Sequence, residues 1–193
     1  MVSLFLEATF RAEGLVLARF SNVPDCLHAD LRAERIDATG LHGRYAVHGI
    51  SQERASQLAE ALRRRYGDVT HHTYHAESRT ATGRVFMDAT QLGQVVAGGL
   101  MQLANRFGPP WMRFEKGVTT LRAPLLQGTP DALEGVIRGI LEPYDPDATV
   151  RIGPLEGHAA TVWKAIEAND VNVDAVSPAE PVGSVPSAQH EGR

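Results

Sequence analysis

One cysteine, Cys26, stands in a chain of 193 residues, so no intrachain disulfide can form and no oxidising compartment has left a mark. Lysine is almost as scarce, since only Lys116 and Lys164 occur among 19 basic residues; the rest are arginine, as a GC-rich genome would also produce. Nowhere do about 18 apolar residues run together, which excludes a membrane-spanning helix. The opening Met1–Phe10 alternates apolar and polar residues, carries Glu7 and has no basic leader, so it does not read as a signal peptide. The expected location is cytoplasmic. No G-x-S-x-G, S-x-x-K, H-E-x-x-H or C-x-x-C occurs, and with them go the common signatures of acyl transfer, zinc proteolysis and dithiol chemistry. No catalytic residue, cofactor or metal ligand is expected, and the chain leans toward a non-enzymatic role; an enzyme would need the histidine group His71, His72 and His75 to converge with Asp88 or Glu77 in a pocket.

What is present is an uneven distribution of charge. Gly40–Arg122 carries eleven basic against six acidic residues, whereas Ala123–Arg193 carries four against eleven. The chain is electrically polar along its length.

The first residues alternate as strands. Val2–Phe10 and Leu15–Phe20 are read as a hairpin around Ala12–Gly14, and Ala29–Ala38 with Arg44–Gly49 as a second pair across Thr39–Gly43. Ser51 then suits a helix N-cap. Glu53 in the first turn, apolar Ala55, Leu58, Ala59, Leu62 and Tyr66 at helical spacing, and Gly67 as the stop complete that helix. Val69–Glu77 and Arg84–Asp88 read as strands. A helix is expected from Asp88 or Thr90 to Phe107, followed by a hairpin of Trp111–Phe114 and Val118–Arg122 around Glu115–Gly117. Thr129-Pro130-Asp131 opens another helix, and Thr149–Ile152 closes as a strand. A short helix over Ala159–Ala168 precedes an acidic tail from Asn169 to Arg193 that reads as disordered.

Residues 83–155 thus give β-α-β-β-α-β, the order of the ferredoxin-like superfold, and residues 29–77 give a β-rich β-β-α-β lobe in front of it. The fold class expected is α+β, with antiparallel sheets covered by helices on one face. The organisation that follows is a β-rich lobe over 1–82, a ferredoxin-like lobe with a short helix over 83–168, and the tail over 169–193.

Several eye-catching groups fail on geometry. His71 and His75 in the run His71-His72-Thr73-Tyr74-His75 share a strand face but stand about 13 Å apart at about 3.3 Å per residue, too far for one metal ion. Only a cross-strand partner such as His48 could rescue that group. Cys26 beside Asp25 and His28 lacks the separated partners usual for a catalytic thiol. Gly93–Gly99 has the glycine spacing of a phosphate loop without its Lys-Ser/Thr, and it lies inside a helical pattern.

Positive charge remains. Arg63, Arg64 and Arg65 close the first long helix, where they also complement its dipole; Arg84, Arg113 and Arg122 lie on strands and could share an open sheet face. Trp111, Phe114 and Tyr74 could stack on bases, although Trp111, Met112 and Phe114 could equally fill the core. These residues suggest a non-catalytic nucleic-acid-binding protein, for DNA or RNA, working through Arg63, Arg64, Arg65, Arg84, Arg113, Arg122 and Trp111. The alternative is a regulatory ligand-binding or oligomerisation module of ferredoxin-like type, pairing as a homodimer, with no nucleic-acid role.

Overall fold

The computed structural model describes residues 3–11, 14–37, 39–88 and 105–164. Its strands are β1 (Phe5–Arg11), β2 (His28–Asp37), β3 (Gly40–His48), β4 (Asp68–His75), β5 (Thr80–Asp88), β6 (Trp111–Glu115), β7 (Val118–Pro124) and β8 (Thr149–Gly153). Between them run the helices α1 (Val16–Ser21), α2 (Gln52–Tyr66) and α3 (Pro130–Leu141). All eight strands join in one antiparallel sheet of order β4-β5-β3-β2-β6-β7-β1-β8. The α+β class therefore holds, with a larger sheet than the sequence suggested.

Strand alternation decides which face is buried. Ala29, Leu31 and Ala33 on β2, Leu41, Tyr45 and Val47 on β3, Met112 and Phe114 on β6, and Leu6 and Ala8 on β1 all enter one apolar core. The helices lie on that side. Val16 and Leu17 of α1, Leu58, Leu62 and Tyr66 of α2, and Ile137 of α3 pack into the same core. Helix α2 forms as its sequence dictates: the Ser51 side chain accepts from the Arg54 amide, and Gly67 closes the end at φ 84°. The β6–β7 hairpin turns on Lys116 and Gly117, both at positive φ (49° and 80°), as a tight two-residue loop requires.

Three expectations need correction. Leu15–Phe20 is not a strand but contains most of α1; Val16, Leu17 and Ala18 are all buried, a run too continuous for one strand face. The self-contained β-α-β-β-α-β sheet over residues 83–155 does not form. Strand β5 pairs with β3 and β4, while β7 and β8 both pair with β1. Each half of the sheet thus receives a strand from the other half of the chain. The divide expected at residue 82 consequently falls inside β5.

By its contacts the chain divides into Met1–Pro154, which holds the entire sheet, and Leu155–Arg193. The second unit is helical over 157–164. The helix expected between Thr90 and Phe107 lies outside the described residues up to residue 104, as do Gly93–Gly99 and the acidic tail. Phe107 itself is described and forms an isolated bridge to Leu125, not a helical turn. No described helix is long and apolar enough to cross a membrane.

Candidate functional site on the helix-free face

The alternation that buries one set of side chains sends the other set to the opposite face of the sheet. His28, Asp30 and Arg32 come from β2, His42, Arg44 and His48 from β3, and Thr82 and Arg84 from β5. Trp111 and Arg113 follow on β6, Arg122 on β7 and Glu7 on β1, as strand register and burial pattern require. Of the arginines expected to act together, Arg84, Arg113 and Arg122 meet on this face. Arg63, Arg64 and Arg65 do not, because they extend α2 on the helix-bearing side, where Arg64 pairs with Glu60.

Most of the sheet arginines have carboxylate partners. Arg122 Nε donates to Glu7 Oε2 at 2.6 Å. Arg44 pairs with Glu34, whose carboxylate also stands 3.7 Å from Arg84. Arg113 forks onto Asp30, with Nε to Oδ1 at 2.8 Å and Nη2 to Oδ2 at 3.1 Å. Trp111 lies between two guanidinium groups, those of Arg113 and Arg122 at 5.0 and 5.3 Å from its ring centre. The indole is only 2 % exposed, so it fixes these arginines by cation–π contact rather than offering a bare stacking surface. Phe114 points to the core, and so does Tyr74, which donates to the Ile50 carbonyl.

At the centre of the face is a cluster that sequence reasoning missed. His28 and His48 are directly opposed across β2 and β3, their rings stacked 4.5 Å apart. Asp30, two residues along the same face, brings Oδ2 to 3.5 Å from His28 Nε2 and 3.8 Å from His48 Nε2. Burial acts to raise the Asp30 pKa, but hydrogen bonds from His28 and Arg113 together with their charges outweigh it, and the carboxyl lies below its ordinary range. His48 is held below the usual histidine range, first by burial and then by His28 and Arg113, against the pull of Asp30.

A bulge creates this cluster. From Asp37↔Gly40 to Arg35↔His42 the hairpin follows one register, and from Ala33↔Gly43 onward it follows another, with Glu34 as the extra residue. Without that insertion His28 and Asp30 would have turned into the core, away from His48.

The other histidines disperse. His71 sits at a bulge in β4 with φ 53°, His72 Nδ1 lies 2.6 Å from the Tyr45 hydroxyl, and His75 lies 3.2 Å from the Thr82 hydroxyl. His48 cannot join them because β5 separates β3 from β4. Cys26 is buried, and burial pushes its thiol up to about 11, the reverse of what a nucleophile needs.

Away from this face, Arg11, Arg19, Asn22, Lys116 and Gly117 line a cleft of about 500 Å³. No protein-family model matches the sequence, and comparison with curated proteins gives no significant match.

Proposed function

We propose that the protein binds nucleic acid without catalysis, through the helix-free face of its sheet. Support comes chiefly from one observation: Arg84, Arg113 and Arg122, far apart in sequence, reach the same face, together with Arg44. Guanidinium groups in such an array are spaced along and across strands, and each can exchange its carboxylate for a phosphate. In this reading the sheet derives from two ferredoxin-like units with exchanged first strands, and its free face suits an extended ligand. Arg63, Arg64 and Arg65 form a separate basic patch in this reading.

The test is fluorescence anisotropy with labelled single- and double-stranded oligonucleotides over a salt series. Four phosphate contacts should weaken binding by about 100-fold between 50 and 200 mM salt. Arg84→Glu should reduce affinity, and Arg64→Glu should leave the sheet-face contacts intact. No binding at low salt would sink this reading.

A second reading is a regulatory module that acts as a homodimer and binds a small anionic ligand. It is favoured by the cleft between α1 and the β6–β7 turn, where Arg11, Arg19 and Lys116 converge and no acid among the described residues contributes to the lining. A thermal shift with inorganic phosphate or small carboxylates, abolished by Arg19→Ala, would favour it.

A further inference from the structure

We propose that His28, Asp30 and His48 bind one divalent transition-metal ion of the Zn²⁺ kind. The site shares Arg113 with the arginine face, through its fork onto Asp30, but does not depend on a nucleic-acid partner.

The argument begins with the proton on His48. The Thr80 hydroxyl donates to the Ser78 carbonyl at 3.1 Å, so its oxygen is free only to accept. His48 Nδ1 lies 3.2 Å from that oxygen and is placed to donate to it. A neutral His48 then carries its proton on Nδ1, which leaves the Nε2 lone pair directed toward the cluster. There it meets Asp30 Oδ2 at 3.8 Å, with His28 Nε2 at 3.5 Å from the same oxygen. Three potential ligand atoms are thus gathered in one place, and a cation among them would take over the role of the proton through which His28 bonds Asp30.

The spacing suits a metal ion. One ligand atom from each residue lies within 4.8 Å of the others, and tetrahedral coordination with bonds of about 2.0–2.1 Å places ligand atoms about 3.3 Å apart. The two contacts to Asp30 already approach that value, and rotation of the exposed imidazole edges closes the remaining gap. Two imidazoles with one carboxylate are suited to borderline first-row ions rather than Mg²⁺ or Ca²⁺. The surrounding groups support the ligands in the manner of metal centres, with Thr80 fixing the His48 tautomer and Arg113 holding Asp30 through Oδ1. Arg113 also contacts Oδ2, but a carboxylate oxygen has two lone pairs and can serve both. All three ligands are partly exposed, so an ion can enter, and three protein ligands leave a position open toward solvent.

The experiment is titration of the untagged full chain with Zn²⁺ by calorimetry, and with Co²⁺ by visible absorption. One equivalent should bind with a dissociation constant of about 1 µM or tighter, and Co²⁺ should give the intense bands of a low-coordinate site. His28→Ala and His48→Ala should each weaken binding at least about 30-fold, and Thr80→Val about 10-fold. His75→Ala should change nothing. Circular dichroism establishes that each variant is folded. Binding no tighter than millimolar, or binding that survives His48→Ala but is lost in His75→Ala, overturns the site.

Discussion

Arg113 and Asp30 face each other across β6 and β2, joined by two parallel hydrogen bonds of 2.8 and 3.1 Å. Among the described residues, their strands are the pair that links β4-β5-β3-β2 to β6-β7-β1-β8. The ion pair therefore clamps the seam of the sheet, in a setting where both side chains are mostly covered.

Replacing Arg113 should loosen that seam. Arg113→Met leaves the Asp30 carboxylate half-buried without its fork, a loss of about 2 kcal/mol. Urea denaturation should show a lower midpoint with unchanged slope, and adding Asp30→Asn should restore part of the loss. An unchanged midpoint would mean that the pair contributes nothing to holding the halves together.

Gly83 allows Tyr45 to lie across β5. A Cβ at this position would stand 2.5 Å from the Tyr45 hydroxyl oxygen and 2.7 Å from Cζ, and the ring, 2 % exposed, has no room to retreat. Gly83→Ala should cost about 2 kcal/mol. In a Tyr45→Val background the same change should cost far less, which a double-mutant cycle measures.

Thr119 is fully buried between Phe114 and Phe10 in the strand register, and its hydroxyl has no hydrogen-bond partner among the described residues. Thr119→Val keeps the shape and removes the stranded hydroxyl. Stability should rise by about 1 kcal/mol, seen as a higher melting temperature; a fall would reveal a partner for that oxygen.

His72 introduces a pH dependence. Burial first, and then the Arg63 charge, hold it below its ordinary 6.5, beside a Tyr45 hydroxyl pushed up to about 12 by burial. The unfolded chain therefore binds the proton more readily than the folded one. The stability that His72 contributes is complete above 6.5 and is lost as pH falls through the folded value. Melting temperatures between pH 7 and 5 should fall less steeply in His72→Gln than in the parent chain.

Local signals in the sequence were sufficient for most elements. Ser51 and Gly67 bracket α2, Pro130 opens α3, and Lys116-Gly117 turns the β6–β7 hairpin. Partnership between strands was not legible, because nothing in Phe5–Arg11 states that β7 and β8 will flank it. The arginine face was legible in part, since alternation places Arg113 opposite Met112, whereas the helix arginines required knowledge of which side α2 covers. The histidine cluster was hidden by one residue. Continuing the register of the β2–β3 turn pairs His28 with Gly49, and only the bulge at Glu34 brings His48 opposite it. Bulges depend on packing across the sheet and leave no fixed local signature.

The exchange of strands has a consequence during synthesis. Strand β1 is made more than a hundred residues before its neighbours, which begin at Val118 and Thr149. At bacterial or eukaryotic translation rates, roughly 5 to 20 s elapse before β7 exists. Throughout that interval the nascent chain carries an unmatched strand with Leu6 and Ala8 uncovered. The first half-sheet also waits for β5, so neither half can close on its own early segment. Such interlocked long-range pairing favours slow, late closure of the native sheet, and it makes the emerging polypeptide a natural client for chaperones that shield exposed strands.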